Sequence, residues 1–258
     1  MNITWAADSL QGLRDSNQDL TGARLDADSG CFLVCDGVAG TPGGDLAAGI
    51  ARQVLLAPAA GEERFSPQQT RQRVVQADAR IRQCQRRSPQ HAQMSTTLAA
   101  LFIDRHQQQA WWAHAGDSRL YHFRRGELCQ VTRDHSLAQQ LREAGLEVSD
   151  RSRHLLVNAL GAQPPREASY SGLLSLEDGD AFLLCTDGFW QQLTPADMVQ
   201  TLHGVSSPQA WLTRMLQASA ASPPRDNLSA LAVWIGAPQA VALRPLPGAA
   251  AHSLPSQH

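Results

Sequence analysis

FLVCDG at residues 32–37 and FLLCTDG at residues 182–188 are two apolar runs that each lead into Asp-Gly. Short apolar runs bounded by turn signals are typical of buried β-strands. AWWAHAGD places Asp117 just after a third such run, and RDNLSALAVWI places Asp226 just before a fourth. Four predicted strands therefore each carry an aspartate at one end, and packing these strands in one core would bring the aspartates together.

The remaining chain mixes strand and helix signals without regular alternation. Further strands are predicted near Ile3, from Thr96 and from Arg119, and the Arg125-Gly126 pair predicts a hairpin turn. Helical spacing occurs in five segments. The first begins at Asp45, and the others run from Pro67 to about Arg87, Ser136 to Glu143, Pro195 to His203, and Ser207 to Ala218. This order favours an α+β fold, with sheets and segregated helices, over a doubly wound one.

Composition narrows the class of protein. The 258 residues carry a formal net charge of -2, which gives no reason to expect nucleic-acid binding. Residues 1–236 are predicted to form one domain, and the Pro-, Ala- and Ser-rich stretch 237–258 is predicted to be a disordered tail. No basic segment followed by an apolar stretch opens the chain, and no membrane span is predicted. We expect a soluble, cytoplasmic monomer.

Two residue types exclude particular chemistries. The five cysteines lack CxxC spacing, so neither a disulfide framework nor a zinc-thiolate site is expected. None of the 22 basic residues is Lys, so a Schiff base or a phosphate-loop Lys is impossible. Phosphate recognition would therefore fall to Arg.

Asp-Gly after a single strand is usually only a turn, because Gly adopts positive φ and Asp binds nearby backbone. Four gathered carboxylates are different, since they repel one another and require a cation. Oxygen ligands suit Mg²⁺ or Mn²⁺ rather than zinc or copper. Two such ions can activate water near neutral pH, and phosphoester hydrolysis is the chemistry that this arrangement favours.

Eight segments in order resemble the motifs of the protein phosphatase 2C family, also called PPM. They are GLRDSNQD from Gly12, VCDGVAG from Val34, STT from Ser95, AGDSRLY from Ala115, VTRDHS from Val131, NALG from Asn158, LLCTDGFW from Leu183 and RDNLS from Arg225. The resemblance implies a four-layer α-β-β-α sandwich in which two antiparallel sheets are flanked by helices. It also implies a metal-dependent serine/threonine phosphatase of the bacterial type.

The resemblance assigns roles to the aspartates. Asp36 would bridge two Mn²⁺ or Mg²⁺ ions, and the carbonyl of Gly37 would be a ligand of one of them. Asp187 and Asp226 would complete this site, and Asp117 with Asp187 would hold a third, weaker ion. An alternative for Asp117 is a structural salt bridge within its hairpin, through the Ser118-Arg119 segment that follows it.

Two further residues receive roles in the same way. Asp19 would orient metal-bound water, and Arg14 would bind the substrate phosphate, with a surface Arg and a turn-capping Asp as the plainer alternatives. The reaction implied is attack of a metal-bridging hydroxide on phosphoserine or phosphothreonine in a protein. Such bacterial enzymes oppose Hanks-type Ser/Thr kinases, including in the control of secretion.

Val38 departs from the family pattern. Many eukaryotic members carry there a His that is proposed to protonate the leaving alcohol, and valine cannot donate a proton. Many bacterial members also lack this His, so its absence does not imply inactivity. A degenerate phosphatase fold that only binds phosphoproteins is one alternative, but the intact set Arg14, Asp36, Asp117, Asp187 and Asp226 argues against it. A nucleotide-phosphate loop in GVAGTPGGD is another, but its spacing is GxxGxxGG and no Lys follows.

Overall fold

The computed structural model describes residues 1–38, 42–58, 65–149, 152, 155–219 and 224–238. The division into a domain of 1–236 and a tail of 237–258 stays a prediction, because residues 239–258 of that tail lie outside the described residues. No helix within the described ranges is long and apolar enough to cross a bilayer.

Two antiparallel sheets form the centre of the fold. The first sheet has the order β1 (Ile3–Leu10), β11 (Leu228–Ile235), β10 (Asp180–Cys185), β6 (Arg119–Arg124) and β7 (Glu127–Val131). The second has the order β2 (Asp19–Leu25), β3 (Ser29–Asp36), β4 (Leu98–Asp104), β5 (Gln109–Ala115) and β8 (Ser169–Tyr170), and β9 (Leu174–Ser175) also pairs with β5. Both chain ends of the domain thus enter the first sheet.

The helices lie outside the sheets. Those within the described ranges are α1 (Gly44–Leu55), α2 (Pro67–Arg87), α3 (Leu137–Glu143), α4 (Asp187–Trp190), α5 (Pro195–Leu202) and α6 (Pro208–Ser219), with a 3₁₀ turn at Pro89–His91. Ser66, Ser136 and Thr194 accept backbone N–H groups at the starts of α2, α3 and α5, as their capping-type side chains predict.

Three apolar layers hold these elements together. Phe32, Leu101, Phe182 and Leu231 are fully buried between the two sheets. The outer face of the second sheet packs on α1 and α2, and the outer face of the first packs on α5 and α6, where Trp211 is fully buried. The predicted four-layer α-β-β-α sandwich is therefore confirmed.

Four strands were not predicted from the sequence. In β2 most side chains are half-buried, and β7 is largely exposed, so neither segment is apolar enough to stand out. The two-residue strands β8 and β9 are too short to leave a pattern. The predicted hairpin turn is present, with positive φ at Arg125 and Gly126, and it joins β6 to β7.

Candidate active site

The aspartates at the strand ends meet at one cavity. Asp36 is the last residue of β3, Asp187 is the first residue of α4 after β10, and Asp226 lies two residues before β11. Asp117 lies in the short connection between β5 and β6. The cavity has a volume of about 320 Å³ and is lined by Arg14, Asp15, Ser16, Gln18, Asp36, Gly37, Val38, Thr97, Asp117, Leu156, Asp187, Asp226 and Asn227.

Asp19 lies behind this cavity rather than in its lining. It pairs directly with Asp36 across the β2–β3 ladder, a position where two like charges repel. The buried Asp19 carboxyl accepts a hydrogen bond from the hydroxyl of Thr186 at 2.8 Å through Oδ2, whereas Oδ1 has no partner within hydrogen-bonding distance. A buried carboxylate oxygen without a donor is costly, so this atom needs a positive or polar partner that the protein does not itself supply.

The carboxyls raise one another's pKa. Burial raises the pKa of Asp19 to about 6, helped by the charges of Asp187 and Asp226 and opposed by nearby hydroxyls. Burial also raises the pKa of Asp117 to about 8, with Asp187 as the largest charge contribution. The pKa of Asp36 lies well above its ordinary value because burial is reinforced by the surrounding aspartates. Several carboxyls thus share one small volume, and the Arg14 guanidinium offsets only part of their negative charge.

Hydroxyl groups fix the position of Asp36. Its backbone N–H donates to the Thr97 hydroxyl at 2.9 Å, and its carbonyl accepts from the Thr96 hydroxyl at 2.9 Å. Thr97 in turn contacts the hydroxyl of Ser118 at 2.6 Å, next to Asp117. The STT segment therefore connects two of the acidic residues, because consecutive hydroxyls reach the ends of β3 and β5 together.

A second set of contacts holds Asp117. The indole N–H of Trp190 donates to the Asp117 carbonyl at 2.9 Å, and the Arg119 guanidinium stacks 3.4 Å over the Trp190 ring. Arg119 makes a bidentate pair with Asp134, at 2.7 and 2.8 Å. Arg119 thus forms its salt bridge with Asp134, and the side chain of Asp117 faces the cavity.

The two histidines of this region also support the Asp117 turn. His114 is 1% exposed and contacts the Ser118 carbonyl at 2.9 Å, so it is a packed core residue, as its apolar strand predicts. The His135 backbone N–H donates to the Gly116 carbonyl at 2.7 Å. Neither imidazole lines the cavity that holds the aspartates.

Arg14 reaches the same cavity from the loop between β1 and β2. Its guanidinium donates to both oxygens of Asp226, at 2.8 and 2.7 Å, and this hydrogen bonding raises the pKa of Arg14. About half of the Arg14 side chain remains exposed, so the guanidinium also faces solvent. Arg14 thus lies beside the aspartates, as the resemblance implies. That it binds the substrate phosphate stays a prediction.

The donor set fits a hard divalent cation. Every candidate donor atom is a carboxylate or carbonyl oxygen, and Asp19 Oδ1 is a buried acceptor without a partner. Within the described part of the chain no three His, Cys, Asp or Glu side chains already surround one point, and both oxygens of Asp226 are engaged by Arg14. The oxygen-only donor chemistry and the clustered negative charge favour Mg²⁺ or Mn²⁺, and binding such an ion would require the carboxyls to move closer together.

Sequence reasoning missed several residues of the site. In the sequence, Thr186 and Trp190 are only parts of the LLCTDGFW motif. In the structure, Thr186 holds Asp19 and Trp190 holds Asp117. Asn227 was likewise not singled out, yet its side chain makes three hydrogen bonds to a distant loop. The available signal for Thr186 and Asn227 was their position directly beside Asp187 and Asp226, whereas Trp190 lies three residues after Asp187.

Comparison with known proteins agrees with this geometry. A family model described as protein phosphatase 2C matches residues 12–231. A putative protein phosphatase of Mycoplasma pneumoniae is 26% identical over 213 residues, which are 76% of this chain and 82% of that protein.

Two solved structures share the fold. PppA, a regulatory component of the type VI secretion system in Pseudomonas aeruginosa, is 28% identical, with a TM-score of 0.75 over 91% of this chain and 98% of PppA. The catalytic domain of the serine/threonine protein phosphatase PstP, in complex with two manganese ions, is 24% identical, with a TM-score of 0.76 over 91% of this chain and 98% of that domain. From the family match and the shared two-sheet architecture, the chain belongs to the protein phosphatase 2C family, in its bacterial type.

Proposed function

We propose that the protein is a Mn²⁺- or Mg²⁺-dependent phosphatase that hydrolyses phosphoserine and phosphothreonine in proteins. The observation that carries the proposal is the combination of oxygen ligands and one guanidinium in a single cavity. Among its described lining residues, Arg14 is the one basic side chain, beside the carboxyls of Asp36, Asp117, Asp187 and Asp226. Cations held by the carboxyls would place positive charge next to Arg14, which suits a phosphate dianion.

The residues divide the work as follows. Asp36, the Gly37 carbonyl, Asp187 and Asp226 would hold two ions, and Asp117 with Asp187 would hold a third. When bound, such ions supply a water-derived nucleophile and neutralise the charge that develops on the phosphoryl oxygens.

Arg14 and Asp19 act around this centre. The planar guanidinium of Arg14 would bind two phosphate oxygens and fix the phosphorus over the carboxyl cluster. Asp19 would accept a hydrogen bond through Oδ1 and so orient the attacking water. The proton donor for the leaving alcohol is not supplied by Val38, so water or a carboxyl of the cavity has to provide that proton.

A purified-protein assay tests the proposal. A phosphothreonine peptide should release phosphate with Mn²⁺ or Mg²⁺, and EDTA should abolish the release. Asp36→Asn and Asp187→Asn should each lower kcat/KM by about 100-fold or more, because each removes an ion ligand. Asp45→Asn, which changes an exposed carboxyl in the first turn of α1, is the matched control and should retain wild-type activity.

The same assay separates the phosphatase from a phosphoprotein-binding module. Binding of the phosphopeptide in the presence of Mn²⁺ without any turnover would favour the binding module and overturn the proposal. Turnover that persists in EDTA would overturn the metal dependence alone.

The cellular setting follows from resemblance and redox state. We infer that the enzyme acts in a reducing compartment, the cytoplasm, because all five cysteines are free and three of them are buried. We also propose that it acts as a monomer. A place in a pathway that controls secretion is supported by the likeness to PppA. Opposition to a Ser/Thr kinase is proposed with it, because a phosphatase of phosphoserine and phosphothreonine needs a kinase to supply its substrate. Deletion of the gene should raise phosphothreonine on the kinase targets, and an unchanged phosphoproteome would contradict this setting.

A further inference from the structure

One side chain joins the start of β11 to the loop that carries Arg14. Asn227 is 7% exposed and makes three hydrogen bonds, all to backbone atoms more than 200 residues away in sequence. Its Nδ2 donates to the carbonyls of Gln11 at 2.8 Å and Ser16 at 2.9 Å, and its Oδ1 accepts from the Gln18 N–H at 2.9 Å. Both amide hydrogens and the carbonyl of Asn227 are therefore engaged.

The three bonds enclose Arg14. Gln11 and Ser16 lie on either side of it, and the Gln11 side chain donates to the Arg14 carbonyl at 2.8 Å. The loop has neither helix nor strand structure, and its side chains from Gln11 to Ser16 are exposed. Few apolar contacts are then available to hold the Arg14 backbone, so its position depends on hydrogen bonds.

Close backbone contact adds to this attachment. Gly12 has φ of +63°, and a Cβ atom built there would lie 2.2 Å from the Asp226 carbonyl oxygen. The Leu13 N–H donates to the carbonyl of Pro224 at 3.0 Å. The loop consequently rests on the segment that contains Asp226 and Asn227.

The Gln18 bond extends the attachment to the second sheet. The Gln18 N–H donates to the Asn227 side chain, and the Gln18 carbonyl accepts from the Gly37 N–H at 3.1 Å. Asn227 belongs to the first sheet side of the cavity and Gly37 to the second. The Asn227 side chain is thus connected through one residue to the carbonyl proposed as an ion ligand.

We propose that Asn227 is a positioning residue for substrate phosphate, acting through the Arg14 loop that it holds over the carboxyl cluster. The proposal rests on the function proposed above for Arg14. Because a buried amide with three satisfied bonds resists displacement, the Arg14 backbone is held before substrate arrives. Loss of the amide would leave three backbone groups to find other partners and would let Arg14 move away from the phosphate.

Kinetics of single and double variants test this role. Arg14→Ala and Asn227→Ala should each raise KM for the phosphothreonine peptide on the order of tenfold, because a misplaced guanidinium binds phosphate poorly. In the Arg14→Ala background, Asn227→Ala should change KM by less than about twofold, since two changes that remove the same interaction do not add. Isothermal titration of Mn²⁺ should give similar affinities for wild type and Asn227→Ala.

A matched control is available at Asn158. It is similarly buried, at 5% exposure, and donates to the Glu167 carbonyl at 2.8 Å outside the Arg14 loop. Asn158→Ala should lower the melting temperature without changing KM. If Asn227→Ala does not fold, Asn227→Leu nearly keeps the side-chain volume and removes the donors and the acceptor without adding charge, and the same KM increase is expected.

The outcomes are distinguishable. No hydrolysis by the wild type would overturn the proposed function itself. Hydrolysis with a raised KM for Arg14→Ala but an unchanged KM for folded Asn227 variants would overturn the positioning role alone. Equal effects of Asn227→Ala with and without Arg14 would also overturn it, because Asn227 would then act independently of Arg14.

Discussion

Removing one charge from the carboxyl cluster should stabilise the protein while the metal is withheld. Asp117 is 8% exposed, and burial together with the charges of Asp187 and Asp134 raises its pKa from 3.8 to about 8. The folded protein therefore binds a proton at Asp117 that the unfolded chain releases. Stability falls as pH rises between these two values, because the unfolded state binds fewer protons. Asp117→Asn removes this titration and nearly preserves the shape.

The magnitude follows from the shift. One pKa unit corresponds to 1.36 kcal/mol, so between pH 5 and pH 7.5 the wild type should lose up to about 3 kcal/mol relative to Asp117→Asn. Relaxation around a cluster of interacting carboxyls reduces this figure, and about 1 to 3 kcal/mol is expected. The stability that the protonated Asp117 carboxyl contributes is fully present only below its unfolded pKa, near pH 3.8.

Urea unfolding in EDTA, followed by circular dichroism at pH 5 and pH 7.5, measures the effect. The free-energy difference between Asp117→Asn and wild type should widen with pH, and Asp45→Asn, which alters an exposed carboxyl, should follow the wild type at both pH values. Parallel pH dependence of wild type and Asp117→Asn would refute the reasoning, since the Asp117 carboxyl would then be ionised without penalty. Added Mn²⁺ should narrow the difference, because both proteins keep the proposed ligands Asp36, Asp187 and Asp226 and only the wild type keeps Asp117 for the third ion.

Three other substitutions probe separate parts of the molecule. Gly188→Ala should lower the unfolding free energy by about 2 kcal/mol or more in urea titration, because its Cβ would lie 2.1 Å from the Asn227 carbonyl oxygen; unchanged stability would contradict this contact. Asp180→Asn should lower the unfolding free energy by about 3 kcal/mol in the same measurement, because the fully buried carboxylate pairs with Arg124 at 2.7 Å. It should leave KM unchanged, since this pair lies far from the cavity, and a changed KM would contradict its structural role. Val38→His should raise kcat for a phosphothreonine peptide by up to about tenfold and leave p-nitrophenyl phosphate unaffected, because only the alcohol needs a proton; equal gains on both substrates would argue against acid catalysis.

The sequence predicted most of the secondary structure, and the reasons are physical. The strands that end at Asp36 and Cys185 are buried on both faces, so five consecutive residues in each, Cys31–Cys35 and Ala181–Cys185, are apolar and predict a strand. In β2 the alternation is broken at Gly22, where a Cβ would lie 2.7 Å from a Leu56 methyl group of the α1 terminus. That glycine is explained only by a contact with a residue distant in sequence, so no local pattern could identify it.

The candidate site, like the fold, could be predicted from the sequence only in part. Asp36 and Asp187 lie at the ends of long apolar strands, and their convergence could be predicted because strands packed in one core can bring their ends together. Asn227 could not be assigned, since its three partners are backbone groups, which any sequence would provide. The stacking of Arg119 on Trp190 depends on the packing of two elements and leaves no spacing signal.

The position of the cavity between the sheets links catalysis to the core. Asp36 comes from one sheet, whereas Asp187 and Asp226 come from the other, and apolar side chains such as Leu231 separate the two. A sliding of one sheet over the other would change the distance between these carboxyls, which we propose as ion ligands, without altering any of them. Activity should therefore depend on how the two sheets are aligned. Core substitutions remote from the carboxyls should then appear in screens as variants with weakened metal affinity.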